Sequence, residues 1–394
     1  NKYHDTTFYL ICSNIKDFKF INEIFGMEKG NQVLIKQAKL MASNPSERTI
    51  CARLMNDRFA LCLPREEFDE KRVADSIKEL QREFSGNSFH LHTYMGVYEI
   101  RDRDEAVSIM VDKANIAADT IKNNYDCCVA YYDEHLLEIS IEQRRLLGEF
   151  EPALQNDEFV MYLQPQVKRD GAAKGAEALV RWVHPSRGIL TPYAFIDILE
   201  NAGLIYKLDL YIWEKAAQKL AEWKEKGYGS YHISVNISTK DFYIIDIYET
   251  FTGLINKYGI AASNLHLEIT ETTLMTDFEK NMNIIHKLQG VGFRVEIDDF
   301  GSGYSSLNML KDISADVLKI DMGFLRKSEN EVKGQDILES IITLAGKIGM
   351  DVITEGVETK KQLDMLTMMG CHEFQGYYFS KPVPVSEFEE KYLV

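Results

Sequence analysis

Five carboxylates and one amide, Glu177, Asn236, Glu268, Asp298, Asp299 and Glu355, stand in or just after short apolar runs: GAEALVRW, HISVNIS, LHLEITE, FRVEIDDF and DVITEGVE. If those runs end on one face, the oxygens point at a common centre and repel one another strongly unless cations are present. Hard oxygen donors of this kind suit Mg²⁺ or Mn²⁺. Such an ion keeps several waters, so six protein ligands are too many for one, and two ions sharing a bridging carboxylate fit better. The adjacent pair Asp298-Asp299 lets one carboxylate bridge while the other binds a single ion. A pair of divalent ions activates a water and clamps an in-line displacement at phosphorus. Lys319, in VLKID, adds a fixed positive charge for a phosphate oxygen or for the water. Arg181 and Gln164, near strand ends, can hold a substrate phosphate and a base edge.

Each of these residues has a simpler reading on its own. Glu268 and Glu271 can cap the helix that TETT would start. Asp298-Asp299 before FGSG can be turn chemistry. Lys319 is harder to set aside, because a lysine inside an apolar strand needs a carboxylate partner. The joint occurrence carries the argument, since a polar residue of the right type stands at nearly every run.

The elements that would position them read as follows. From residue 156 onward, apolar runs alternate with helical patterns, and the length suits one TIM-like (β/α)8 barrel, whose C-terminal strand ends converge on one face. Residues 134–155 carry an apolar stripe at Leu136, Leu137, Ile141, Leu146, Leu147, Phe150 and Leu154, which predicts a helical connector. Residues 1–133 predict a small α/β domain in the order β-α-β-β-α-β-α-β. Its first strand runs from Phe8 to Ile15, and its helix over FINEIFGMEKGNQVLIKQAKLMAS is broken at Gly26 and Gly30. A hairpin joins TICARL to RFALCLP through Met55, Asn56 and Asp57.

The 394 residues have a net charge of −16, with −3 over 1–133 and −13 over 134–394. That acidity argues against binding a nucleic-acid polymer or an anionic membrane surface. No apolar stretch is long enough to span a bilayer, and the start has no signal-peptide pattern. Six cysteines without a CxxC pair argue against a zinc site or a disulfide framework and for a reducing, cytoplasmic setting. The chain starts with Asn1, close before a strand, so the expectation is a cytoplasmic piece of a longer protein. DDFGSG contains a kinase-like DFG, but the glycine-rich loop, VAIK and HRD are missing. There is also no GxxxxGK[ST], GxSxG or HExxH.

These residues resemble the EAL phosphodiesterase family, which hydrolyses cyclic di-GMP. The name-giving triplet is Glu177-Ala178-Leu179, and the resemblance runs from about 140 to 394 through LQPQV, VNIS, EITE, DDFGSGYSSL, KID, EGVE and QGYYFSKP. It implies that Glu177, Asn236, Glu268, Asp298, Asp299 and Glu355 bind two Mg²⁺ or Mn²⁺ ions. Lys319, Glu355 and Asp299 would position or activate the water, and Gln164, Leu179, Arg181, Glu358 and Gln375 would contact the substrate. Glu271 would anchor the loop carrying DDFGSG. Ser302 stands where threonine is commoner, a change between small hydroxyl residues. The resemblance also implies a homodimer formed near that loop and the apolar YSSLNML stretch.

Residues 1–133 resemble a GGDEF (diguanylate cyclase) domain whose site is degenerate. The signature reads Met55-Asn56-Asp57-Arg58-Phe59, so both glycines are gone and Arg58 stands at the metal-ligand glutamate. Asn14 replaces an aspartate of the other metal motif, and Asn31 replaces a guanine-contacting aspartate. The upstream inhibitory site, RxxD in the family, carries Ser46 and Thr49. The expectation is no cyclase activity and a structural, dimerising or GTP-binding regulatory role. For the whole chain it is hydrolysis of cyclic di-GMP to linear pGpG. The rival is a non-catalytic cyclic di-GMP or GTP receptor that signals through protein partners; such receptors usually lose metal ligands, and none is lost here.

Overall fold

The apolar runs pair into two separate sheets. The computed structural model describes residues 5–16, 18–42, 46–84, 91–122, 124, 127–300, 313–321 and 331–393. The chain divides into two compact units, 1–145 and 146–394. The expected loop-borne dimer contact at YSSLNML, and Ser302, lie outside the described residues.

In the first unit five strands, β1 (Phe8–Ile15), β2 (Ile50–Met55), β3 (Arg58–Pro64), β4 (Thr93–Glu99) and β5 (Val129–Tyr131), lie in the order β2-β3-β1-β4-β5. The central strand β1 is antiparallel to both neighbours, and only the β4–β5 pair is parallel. The central strand β1 carries a continuous apolar run, Phe8 to Cys12, of which Tyr9 to Cys12 are buried. Helix Val107–Thr120 approaches β4 so closely that a Cβ on Gly96 would lie 1.8 Å from the Ala114 carbonyl oxygen. Of the two glycines expected to break the first helix, Gly26 does so, with φ +82°, while Gly30 instead makes room for the Asn22 side chain.

In the second unit the strands are β6 (Phe159–Lys168), β7 (Ala173–His184), β8 (Gly188–Leu190), β9 (His232–Ile237), β10 (Leu265–Thr270), β11 (Val295–Phe300), β12 (Val317–Asp321), β13 (Asp351–Glu355), β14 (Glu373–Phe374) and β15 (Val383–Pro384). Eight of them close a barrel in the order β6-β7-β9-β10-β11-β12-β13-β14, with β14 returning to β6. From β7 to β14 the neighbours are parallel, but β6 is antiparallel to both of its own. Chain length explains this. Only the turn around Gly171, at φ +84°, separates β6 from β7, and a parallel connection needs about a dozen residues or more. The hairpin sets Gln164 directly opposite Glu177. It also carries β7 past Glu177 to pair with β8, so this glutamate is a mid-strand residue rather than a strand end.

Outer helices such as Ile205–Glu225 bury Leu208, Ile212, Trp213, Leu220 and Trp223 against the barrel. Helix Glu134–Gln155 runs continuously through Pro152. No helix among the described residues is long and apolar enough to cross a membrane.

Candidate active site

Four barrel strands, β7, β10, β11 and β13, deliver the acidic residues to one place, and Lys319 on β12 is its hub. The Lys319 side chain is fully buried, and its Nζ lies 2.6 Å from Glu355 Oε1, 2.9 Å from Glu268 Oε2, 3.4 Å from Glu177 Oε2 and 3.5 Å from Asp298 Oδ1. Burial acts to strip the proton from this lysine, but the surrounding carboxylates overcome that and hold its pKa well above the ordinary value. One ammonium cannot balance four carboxylates. Both Glu268 oxygens and Glu355 Oε1 lack a hydrogen bond of good geometry, the Lys319 contacts being ionic rather than directional. Burial, reinforced by the Glu177 charge, raises the Glu268 pKa well above the usual carboxylate range. Burial likewise pushes Glu355 to about 8, against the pull of Lys319 and with added repulsion from Asp298 and Glu177. The cluster therefore takes up protons where it is short of positive charge.

That shortage, and the orphaned buried oxygens, fit hard divalent cations in donor type and in charge. Among the described residues the site carboxylates are spread around Lys319 rather than gathered three to a cation-sized group, so binding ions requires side-chain adjustment.

Asn236, at the exposed end of β9, donates from Nδ2 to Glu177 Oε1 at 3.1 Å. Gln375 is buried and donates from Nε2 to Glu177 Oε2 at 2.5 Å and to Gln164 Oε1 at 3.3 Å, while Gln164 donates to the Ser380 carbonyl. Asp299 sits at the mouth with φ +56°, a left-handed conformation uncommon for a residue other than glycine, and β11 shifts register against β12 at this point. The Arg181 guanidinium lies 5.5 Å from the Tyr162 ring centroid, donates to the Val180 carbonyl and feels the charge of Glu177. Leu179 borders a cavity of about 270 Å³ together with Asn236. Glu358 is exposed just before helix Lys360–Met368, and Glu271 opens helix Glu271–Thr276. The loop that Glu271 was expected to anchor lies outside the described residues.

Sequence reasoning missed two carboxyls on that cavity's side. Asp209 lines it, and burial, with repulsion from Asp241, lifts its carboxyl well above the usual range while it hydrogen-bonds to the fully buried Asp241. The available signal was an aspartate interrupting the apolar face Ile205, Leu208, Ile212, Trp213.

In the first unit, Met55 to Phe59 form the β2–β3 turn, with Asn56 at φ +51° and Phe59 buried. Asp57 Oδ2 accepts from the Ile15 amide at 3.3 Å, and Asn14 hydrogen-bonds the Tyr94 hydroxyl at 3.1 Å. Arg58 is exposed beyond the turn, and Asn31 is exposed on helix Phe18–Met41. Among the described residues of this unit, no three His, Cys, Asp or Glu donors come together.

Comparison with known proteins identifies the family of the barrel and of the first unit. The family model described as EAL domain matches residues 148–382, and the one described as diguanylate cyclase, GGDEF domain, matches 1–126. The chain belongs to the EAL domain family and carries a GGDEF domain ahead of its EAL barrel. It is 30% identical over 393 residues to the bifunctional diguanylate cyclase/cyclic di-GMP phosphodiesterase MucR of Pseudomonas aeruginosa, covering 97% of this chain and 57% of that protein. It is 27% identical to the cyclic di-GMP phosphodiesterase PdeR of Escherichia coli, covering 97% of this chain and 58% of that one. The chain thus spans about half the length of the curated relatives it matches. Among solved structures, the MucR phosphodiesterase in complex with c-di-GMP aligns with a TM-score of 0.59 and 33% identity over 62% of this chain and 99% of that one. The S helix-GGDEF-EAL structure of Vibrio cholerae LapD aligns with a TM-score of 0.61 at 19% identity over 94% of this chain and 88% of that one, a likeness of fold.

Proposed function

We propose that the barrel hydrolyses cyclic di-GMP to linear pGpG, with Glu177, Asn236, Glu268, Asp298, Asp299 and Glu355 holding two Mg²⁺ or Mn²⁺ ions. The observation that carries this reading is the convergence of Glu177, Glu268, Asp298 and Glu355 on the buried ammonium of Lys319, in a barrel of the EAL family. Bound divalent ions would supply Lewis acidity, acidifying a water and neutralising phosphate charge.

The chain's own groups do the rest. Lys319 stays protonated and holds Glu268 and Glu355 in place while offering a fixed charge to a phosphate oxygen. Glu355, held 2.6 Å from Lys319 Nζ, would hold one of the ions and position the attacking water. Asn236 and Gln375 fix both oxygens of Glu177. Gln164, Leu179, Arg181, Glu358 and Gln375 serve the substrate, and Asp209 can accept hydrogen bonds from a guanine edge in the cavity beside Leu179.

The first unit does no cyclase chemistry in this reading and acts as a regulatory or dimerising module. Asn14 and Arg58 supply no carboxylate where the metal ligands of a cyclase would stand. The test is turnover by the Glu177→Ala and Asp298→Asn chains: both should fold as the parent does and form no pGpG. A folded Asp298→Asn chain with parental turnover would contradict the metal assignment.

A further inference from the structure

We infer that the barrel holds a second, nitrogen-rich cation site, in which His232, His266 and Glu296 bind one divalent ion of the zinc class. The three residues lie on adjacent strands β9, β10 and β11, all are buried, and one donor atom from each falls within 4.8 Å of the others. Side chains alternate along a strand, so His266 shares a face with Glu268, Glu296 with Asp298 and His232 with Asn236. His266 and Glu296 therefore lie one pleat repeat, about 7 Å, below Glu268 and Asp298 on their strands, and His232 lies two repeats below Asn236. It opens into a cavity of about 460 Å³ at the N-terminal end of the barrel.

The hydrogen bonds around the group prepare it for a cation. Gln166 donates from Nε2 to Ser234 Oγ at 3.4 Å, which leaves its Oε1 to accept from His232 Nε2 at 2.7 Å. The lone pair of neutral His232 is then on Nδ1. His266 faces the Ser263 carbonyl with Nε2 at 3.1 Å and Glu296 Oε1 with Nδ1 at 2.5 Å, so in the metal-free chain both nitrogens donate and the pair is an imidazolium–carboxylate bridge whose Nδ1 proton an ion would displace. Carbonyl acceptors on the outer nitrogen are the usual partners of metal-binding histidines. The Nδ1 proton shared with Glu296 holds the place that a divalent cation would take. Glu296 Oε2, fully buried, has no hydrogen-bond partner. The His232 ring has space because residue 175 is glycine: a Cβ there would lie 2.4 Å from the ring atoms. The positive charges at the cavity rim are matched locally, Arg294 by Asp351 at 2.6 Å and Lys174 by Glu373.

Two imidazoles and a carboxylate favour Zn²⁺ or Co²⁺ over Mg²⁺. Metal–donor distances of about 2.0–2.2 Å would space the donors by roughly 3.3 Å. Binding would therefore part His266 from Glu296 and draw in His232. The His232 ring, stacked on that of His266 at 3.8 Å and 4°, would turn about its Cβ–Cγ bond to present Nδ1.

The test is a Co²⁺ titration of the full chain in excess Mg²⁺, which occupies oxygen sites, read by the visible absorption of four- or five-coordinate Co²⁺. Absorption saturating at one Co²⁺ per chain is expected, retained in Asp298→Asn and weakened more than about tenfold in His232→Ala and in Glu296→Gln, each verified as folded by circular dichroism. The proposal is overturned by absence of the band from the parent chain, by its loss in Asp298→Asn, or by its persistence in a folded His232→Ala or Glu296→Gln chain.

Discussion

Lys319 is a buried charge whose partners outnumber it, and that imbalance makes two predictions. Removing one member of a buried ion-pair set leaves uncompensated charge, typically at a cost of about 3–5 kcal/mol. Lys319→Met should therefore lower the urea midpoint of the chelated chain, and added Mg²⁺ should recover more stability in the variant than in the parent. Equal recovery in both would mean that cations do not enter this cluster. The second prediction concerns pH. Glu355 has a folded pKa raised by burial from the ordinary 4.5 to about 8, so its contribution to stability is fully present below the unfolded value and is lost as pH rises through about 8. The chelated chain should lose stability from about pH 5 to 8, and Mg²⁺ should flatten that slope by taking the place of the proton. Denaturant titrations across this range check it. Asp299 adds a third case: asparagine tolerates the left-handed conformation at φ +56°, so Asp299→Asn should melt within a few degrees of the parent yet lose turnover. A large loss of melting temperature would show that the carboxylate, rather than the conformation, holds the β11 turn.

The elements decide how much of this was legible in the sequence. The strands of the first unit follow their apolar runs closely, because each run is bounded by turn residues such as Asn56-Asp57. The second unit's barrel follows from repeated strand–helix spacing, and the spacing also named the residues that meet at Lys319. Three features were not readable. The antiparallel β6 depends on a tight turn that the alternating pattern does not reveal, and it moves Glu177 from a strand end to mid-strand opposite Gln164. Asp209 hides in an otherwise apolar helix face, where its pairing with Asp241 comes only from packing. His232, His266 and Glu296 sit inside runs that read as ordinary strands, and only closure of the barrel brings them together. Close element packing gives its own test: Gly96→Ala would force a Cβ against the Ala114 carbonyl, so the variant should destabilise the first unit by about 1–3 kcal/mol. An unchanged melting transition would mean that helix Val107–Thr120 packs less tightly on β4 than described.

Across the whole chain, the charge of −16 sets the terms on which a dianionic substrate can bind. An acidic bowl repels such a ligand until cations invert the local potential, so substrate affinity and turnover should fall together when divalent ions are chelated. The chain spans about half the length of its curated relatives, so any control exerted by further segments acts on a barrel that already carries its full set of candidate ligands. The direct measurement is to incubate the purified chain with cyclic di-GMP and Mg²⁺ or Mn²⁺ and to follow the nucleotides by chromatography. Metal-dependent conversion to pGpG that stops on chelation is expected. Tight binding of cyclic di-GMP with no pGpG formed under either metal would contradict it and would make the chain a receptor.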